Sequence, residues 1–236
     1  MTLHQDLTGA VREVITTAYS VRDGQVVPQT EDVGYSQAVK LPATYLYADM
    51  ADSSGLVALS PPETVAKTIR MFLNVSVRII RFHGGHIRSF DGDRVMGIFV
   101  GVGRQSNAAR AALKIKWTCA NLIQPQLTET FKSIRESGWQ LRHACGIASG
   151  DALIVRGGVR GNSDLVSIGA APNLAAKLSD IRDHPYSTLI GKASYGILEV
   201  SARTSTDGRD MWTGPYNLSM GGLSYPYYKS NFWWKP

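Results

Sequence analysis

The sequence predicts an α+β protein with a ferredoxin-like core: a central, mostly antiparallel sheet with helices on one face, preceded by an N-terminal extension. Two observations carry this prediction. From about residue 43, strand-like and helix-like segments follow one another in the order β-α-β-β-α-β. After the first helix of this series, an Asp-Gly pair separates two strand-like runs, which is typical of a β-hairpin. We expect the extension to span residues 1–40 and the main domain to span residues 41–236.

The composition limits the class of protein. Of the 236 residues, 44% are hydrophobic and 19% are charged, which is typical of a folded globular protein. No apolar run reaches the roughly 18–20 residues that span a bilayer, and the first residues are too polar for a secretion signal. We therefore expect a cytoplasmic protein with no membrane partner. The net charge of +6 favours anionic partners, but the basic residues form no cluster.

The first elements follow from local patterns. The extension begins with a short helix predicted from about Leu7 to Ser20, and "RDGQVVPQTEDVGYSQAV" then predicts a loop, because it is rich in turn residues. The segment "ATYLYADMA" (43–51) is compact and apolar, which indicates a buried strand that ends near a carboxylate. The apolar spacing of "SPPETVAKTIRMFLNVSVRIIRF" (60–82) predicts a long helix capped by Ser60.

The later elements complete the series. "HIRSFDGDRVMGIFVG" predicts the hairpin, and a helix from about Asn107 is expected to bend or end at Pro125. "QLRHACGIASGDALIVRGG" predicts two strands joined by a turn, and a further helix begins near Pro172. "GGLSYPYYKSNFWWKP" predicts a final C-terminal strand. Cys119 and Cys145, which lie in a helix-like and a strand-like segment, are predicted to be buried thiols.

One carboxylate lies at the end of the first predicted strand, and another lies at the start of the second strand of the hairpin. Asp49 closes the first strand, and Asp93 follows the hairpin turn. In this topology the two strands are neighbours, so we expect the two side chains to converge. Neighbouring carboxylates repel each other, and bound divalent cations are the usual reason to keep both ionised. The alternative is structural, since Asp93 can serve the turn and Asp49 can cap the segment that follows it.

A further pair of polar residues is Asn173 and Lys177 in "SIGAAPNLAAKL" (167–178). Four residues make about one helical turn, so both side chains leave the same face of the predicted helix. The alternative interpretation is a solvated helix face without a function.

Four motifs occur in a fixed order over residues 43–180: "YLYADMADSS", "GGHIRSFDGDRVMGIF", "GIASGDALIVRGGVRG" and "IGAAPNLAAKL". Together they resemble the motifs of the class III nucleotidyl cyclases, the superfamily of adenylate and guanylate cyclases. The resemblance implies that Asp49 and Asp93 hold two Mg²⁺ or Mn²⁺ ions, with the carbonyl of Met50 as a further ligand. It also implies that the backbone around Ser53 and Ser54 binds the phosphates of the substrate.

The resemblance assigns the remaining site residues as well. Asn173 orients the ribose, Lys177 stabilises charge on the α-phosphate, and Tyr47, the aromatic residue of the first motif, lies at the substrate. Most family members carry arginine in place of Lys177, so we expect a slower enzyme. In such cyclases the aspartates and the Asn/basic pair come from different subunits. The resemblance therefore implies a homodimer with two shared sites.

The base-recognition positions of purine cyclases correspond to Ser89 and Val166. Val166 cannot hydrogen-bond to a base, and Ser89 has only a short hydroxyl, so neither purine pair is present. The proline before Asn173, with "VVPQTEDV" and "YADMADSS", is similar to the bacterial Pycsar pyrimidine cyclases. That resemblance implies conversion of UTP into cyclic UMP and pyrophosphate, with CTP as the alternative substrate. It also implies that a separate effector protein responds to the product in anti-phage defence.

Other functions fit the sequence less well. An inactive cyclase-like dimerisation module usually lacks a metal ligand, whereas both aspartates are present here. An adenylate cyclase would need different residues in place of Ser89 and Val166. An RNA-binding sheet of the ferredoxin-like type would carry stacking aromatic residues, and "HACGIASG" has none, so we expect no nucleic-acid partner.

Overall fold

The computed structural model describes residues 2–236. Its strands are β1 (Ser20–Asp23), β2 (Gln37–Ala51), β3 (His86–Asp91), β4 (Arg94–Phe99), β5 (Arg142–Val159), β6 (Asn162–Ile168), β7 (Thr188–Gly191), β8 (Thr213–Met220) and β9 (Leu223–Ser230). Its α-helices are α1 (Leu3–Thr16), α2 (Ser53–Leu59), α3 (Pro62–Phe82), α4 (Arg104–Thr118), α5 (Gln124–Thr130), α6 (Lys132–Ser137), α7 (Ala170–Ser179), α8 (Lys192–Tyr195) and α9 (Val200–Arg203). A 3₁₀ turn covers Thr30–Asp32, and a π turn covers Cys119–Ile123.

Within residues 2–236, the strands form one mixed sheet in the order β3-β4-β2-β5-β7-β9-β8, with β1 beside β2 and β6 beside β5. The central strand β2 pairs antiparallel with both β4 and β5. The predicted series β-α-β-β-α-β corresponds to β2, α3, β3, β4, α4 and β5. The α+β class and the ferredoxin-like order of elements are therefore confirmed.

Helices cover both faces of this sheet. On one face, Phe72 of α3 and Leu113 of α4 pack in the same core as Leu46 of β2. On the other face, Leu178 of α7 packs in the same core as Tyr45 of β2. The prediction that the helices share one face is right for α3 and α4 but wrong for α7. Because β2 is buried on both faces, each face needs a covering layer.

A glycine allows α7 to lie directly on β5. A β-carbon at Gly146 would overlap the backbone of α7 at Ala175 and Ser179. Only glycine leaves room for this close approach between helix and strand. The contact fixes the height of α7 above the sheet, and with it the position of the helix face that carries Asn173 and Lys177.

The extension contributes to the sheet. Residues 20–23 form β1, which pairs in parallel with the start of β2, so the prediction of a loop is wrong at this point. The first helix covers Leu3–Thr16 and therefore begins and ends four residues before the predicted range. Val27 and Val33 are buried in the same core as α7. Since β2 begins at Gln37, the predicted domain boundary after residue 40 falls inside a strand.

Further differences concern the ends of elements. The predicted helix near Asn107 begins at Arg104. The π turn lies directly before α5, and Pro125 is in the first turn of α5. The predicted C-terminal strand is β9, which pairs with β7 and forms a hairpin with β8, a strand that the sequence analysis did not predict. Cys119 and Cys145 are buried and free, as predicted. None of the helices in the described residues is long and apolar enough to cross a membrane.

Candidate active site

Asp49 and Asp93 lie beside each other at one end of the sheet. Asp49 of β2 pairs with Arg94 of β4, and Asp93 precedes Arg94 in the β3–β4 turn. The N–H of Met50 donates to the carbonyl of Asp93 at 3.4 Å. Burial raises the pKa of the Asp49 carboxyl, an ion pair with Arg182 lowers it, and the charge of Asp93 raises it again. The two carboxylates therefore interact electrostatically.

This pair fits a divalent cation. Asp49 is only 8% exposed, and the Oδ2 atom of Asp93 is buried without a hydrogen-bond partner among the described residues. A buried carboxylate oxygen without a donor loses its solvation, and a bound cation would restore it. The described residues contain no group of three or more His, Cys, Asp or Glu side chains that could hold a metal ion. Further ligands would therefore come from the backbone or from a substrate.

Arg182 is a site residue that the sequence analysis missed. It follows the C-terminal end of α7, and one of its guanidinium nitrogens donates to Asp49 Oδ2 at 2.6 Å. A second guanidinium nitrogen donates to the carbonyl of Ser179. Arg182 stands 133 positions from Asp49 in the sequence. No local pattern in "SDIRDHP" indicates this contact.

Arg94 is the second arginine at the carboxylates. It donates to Asp91 at 3.0 Å and to Asp180 at 3.2 Å, and it therefore links the hairpin to the end of α7. Its guanidinium carbon lies 5.6 Å from the centre of the Tyr47 ring. Tyr47 is half-buried on β2, two residues before Asp49 and on the same face of the strand.

Asn173 and Lys177 both lie on the exposed face of α7. The Lys177 side chain is 63% exposed, and its ammonium lies 3.8 Å from Asp180. At this distance and exposure the ion pair is weak. The two side chains therefore share one helix face, as the spacing predicts, and this face is open to solvent in the single chain.

The residues expected to contact phosphates stand at the start of α2. Ser53 is half-buried and Ser54 is exposed in its first turn. Asp52, which precedes them, has a left-handed backbone with φ 59° and ψ 36°. This conformation turns the chain sharply from β2 into α2.

The two base-recognition candidates lie on strands that approach each other. Ser89 is half-buried on β3, and Val166 is 48% exposed on β6. Arg88 of β3 and Asp164 of β6 form an ion pair with a distance of 2.8 Å. This ion pair joins the two strands next to Ser89 and near Val166.

A cavity of about 330 Å³ is lined by Arg182 and by Ala51 and Asp52 at the end of β2, whereas Asp49 and Asp93 do not line it. His143 in its wall is buried, and its Nε2 atom has no hydrogen-bond partner among residues 2–236. Burial, together with the positive charges of Lys116 and Arg182, lowers the pKa of His143 to about 3. Burial also lowers the pKa of Lys116 to about 8, and the Lys116 ammonium donates to the carbonyl of Pro185 at 3.1 Å.

Comparison with known proteins identifies the family. No protein-family model matches the chain. A uridylate cyclase from Rhodovulum sp. (strain MB263) is 37% identical to this chain. The alignment covers 100% of this chain and 99% of that protein. A uridylate cyclase from Burkholderia cepacia is 35% identical, and the alignment covers 95% of this chain and 96% of that protein.

Among solved structures, the adenylyl cyclase CyaB from P. aeruginosa superimposes with a TM-score of 0.62 at 20% identity. The match covers 82% of this chain and 95% of that structure. The resemblance carried by the four motifs is thereby confirmed. The chain therefore belongs to the uridylate cyclase family, and it has the fold of the class III nucleotidyl cyclase cores.

Proposed function

We propose that the protein converts UTP into 3′,5′-cyclic UMP and pyrophosphate. In this reaction the ribose 3′-oxygen attacks the α-phosphorus, and pyrophosphate leaves. The observation that carries the proposal is the carboxylate pair of Asp49 and Asp93, with one buried oxygen that lacks a donor among the described residues. Support for uridine as the base comes from the names of the two relatives that match nearly the whole chain.

We assign Asp49, Asp93 and the carbonyl of Met50 to two divalent cations, Mg²⁺ or Mn²⁺. When bound, such ions lower the pKa of the attacking hydroxyl and neutralise the triphosphate. The carboxylates of this chain would hold the ions between the sheet and the start of α2. There, Ser53 and Ser54 would bind phosphate oxygens through their backbone N–H groups.

Asn173 and Lys177 would act on the substrate of a second subunit. The amide of Asn173 would hold the ribose in position, and the ammonium of Lys177 would offset the charge that develops on the α-phosphate. The exposure of both side chains on α7 supports this assignment, because an exposed helix face is available to a partner. A two-fold homodimer would thus form two equivalent shared sites.

Selection of the base is assigned to Ser89, Val166 and Tyr47. The Ser89 hydroxyl can accept or donate a hydrogen bond, whereas Val166 offers only apolar contact. Tyr47 would contribute from the same face of β2 as Asp49. A serine hydroxyl suits uracil and cytosine alike, so cytidylate cyclase activity is the second candidate.

Cyclic UMP would act as a second messenger. We propose that it activates a separate effector protein in anti-phage defence, as the resemblance to the Pycsar cyclases implies. Because nucleoside triphosphates are cytoplasmic, we also propose that the enzyme acts there.

The test is incubation of the purified protein with Mn²⁺ and each of the four nucleoside triphosphates, with the products identified by mass. We expect cyclic UMP and pyrophosphate from UTP. The matched control is Asp93→Asn, which keeps the shape of the side chain and removes its charge, and which should form no product. Cyclic CMP alone would favour the second candidate, and cyclic AMP alone would refute the argument from Ser89 and Val166. An absence of any cyclic product would indicate an inactive dimerisation module.

A further inference from the structure

The ion pair between Arg182 and Asp49 places a cation on a carboxylate that we assign to metal binding. The guanidinium nitrogen lies 2.6 Å from Asp49 Oδ2. The Asp49 side chain is 12% exposed and that of Arg182 is 40% exposed, so the carboxylate end of the pair is largely shielded from solvent. A guanidinium does not lose its proton in a protein, so this positive charge is permanent.

A divalent cation and this guanidinium compete for the same oxygen. A metal ion bound to Asp49 Oδ2 would lie within a few Å of the guanidinium, and like charges at that range repel strongly where the site is shielded from water. Charge-assisted hydrogen bonds to a carboxylate are also among the stronger ones, so the pair must break at a cost before the ion binds. Asp93 differs, because its Oδ2 has no hydrogen-bond partner among the described residues.

Arg182 also has space into which it can move. It stands beyond the end of α7, and the cavity of about 330 Å³ opens beside it. The cavity wall includes Arg142 and His143, and the Arg182 side chain is 40% exposed. The guanidinium can therefore leave Asp49 toward this cavity, and the movement would change its second hydrogen bond, which it donates to the carbonyl of Ser179.

We infer that Arg182 is an internal counter-ion: it occupies Asp49 in the metal-free chain and withdraws toward the cavity when a divalent cation binds. The inference rests on the proposed assignment of Asp49 to the metal. It makes Arg182 a positioning residue that holds the buried carboxylate in place until the ion arrives. A purely structural ion pair predicts the opposite effect of mutation, because loss of the pair would then weaken the metal site.

The experiment measures binding of Mn²⁺ alone, without nucleotide, from the electron paramagnetic resonance signal of the free ion. For Arg182→Gln we expect a Kd about tenfold lower than that of the wild-type protein, since one charge-assisted hydrogen bond no longer competes. Arg142→Gln is the matched control: it removes the same charge from the wall of the same cavity, and its backbone pairs with Ala51 rather than Asp49. The Kd of this control should stay within about twofold of wild type.

Thermal unfolding provides a second measurement. Without metal, Arg182→Gln should unfold at a lower temperature than wild type, because Asp49 is left as a buried charge without its partner. Saturating Mn²⁺ should raise the Tm of Arg182→Gln more than that of wild type, since tighter binding stabilises the folded state more. Arg182→Lys keeps a positive charge and should give a Kd between the other two.

The outcomes separate the inference from the proposed function. If wild type binds Mn²⁺ and Arg182→Gln binds it equally or more weakly, the inference is overturned and the metal assignment stands. If neither protein binds Mn²⁺ by either measurement, the assignment of Asp49 to the metal fails, and the inference fails with it. Tighter binding by Arg182→Gln, with Arg142→Gln unchanged, supports the inference whether or not cyclic UMP is formed.

Discussion

Replacement of His143 should change how the stability of the protein depends on pH. The imidazole is buried between the sheet and α3, with its ring centre 5.9 Å from that of Phe72. Burial, with the charges of Lys116 and Arg182, lowers its pKa from 6.5 to about 3. His143 therefore binds a proton below about pH 6.5 in the unfolded chain, but only below about pH 3 in the folded chain. The contribution of His143 to the free energy of unfolding is fully present above about pH 6.5 and decreases as the pH falls from 6.5 toward 3.

The size of the effect follows from the two pKa values. One pKa unit corresponds to about 1.4 kcal/mol, so His143 should lower the free energy of unfolding by about 2 kcal/mol between pH 7 and pH 5. This is a large share of the 5–15 kcal/mol by which proteins of this kind are roughly expected to be stable. In His143→Leu the titrating group is absent, so the decrease over this range should be smaller by about 2 kcal/mol.

The assay is urea unfolding at pH 7 and pH 5 in metal-free buffer, followed by circular dichroism. His4→Gln is the control, because His4 is exposed on α1 and keeps its solvation on folding. This control should show the same pH dependence as wild type. Equal changes in the free energy of unfolding for wild type and His143→Leu would refute the reasoning, since they would mean that the folded protein accepts the proton at His143.

Three further predictions concern the shared site and its support. Asp49→Ala and Lys177→Ala should each be inactive. A mixture of the two should recover up to about a quarter of wild-type cyclic UMP formation, because half of the dimers are mixed and each mixed dimer has one intact site of two. An absence of recovery despite subunit exchange would contradict shared sites. Lys177→Arg should raise kcat about threefold or more in steady-state assays, since a guanidinium offers two parallel N–H groups to the α-phosphate; an unchanged kcat would oppose this role. Gly146→Ala should lower the free energy of unfolding by about 1–3 kcal/mol and reduce activity, because the added methyl group overlaps the backbone of α7. Gly150→Ala is its control on the same strand, since its β-carbon would meet only a methyl group at 3.3 Å.

Much of the fold was predictable because its signals are local. The order of β2, α3, β3, β4, α4 and β5 follows from hydrophobic periodicity and from the Asp-Gly turn, both of which act over a few residues. The shared face of Asn173 and Lys177 follows from helical geometry in the same way. The strand β1 was missed because four exposed residues carry no periodic signal, and pairing with β2 alone makes them a strand.

The candidate site was predictable only where its residues belong to motifs. Asp49 and Asp93 stand in two such motifs, and the topology brings them together. Arg182 belongs to no motif, although it contacts Asp49. Arg94 lies in the second motif directly after Asp93, but no local pattern indicates its contact with Asp180. The position of Arg182 depends on how α7 packs on β5, and Gly146 leaves room for this packing.

The sequence by itself determined the fold class, the order of the core elements and the family, because these depend on short patterns and motifs. Only the tertiary structure decided that α7 covers the opposite face from α3 and α4, that the extension adds a strand, and that Arg182 reaches Asp49. The physical reason is that such contacts join residues far apart in the chain. The energies of these contacts come from burial and from charge interactions that exist only in the assembled core, so no local stretch of sequence indicates them.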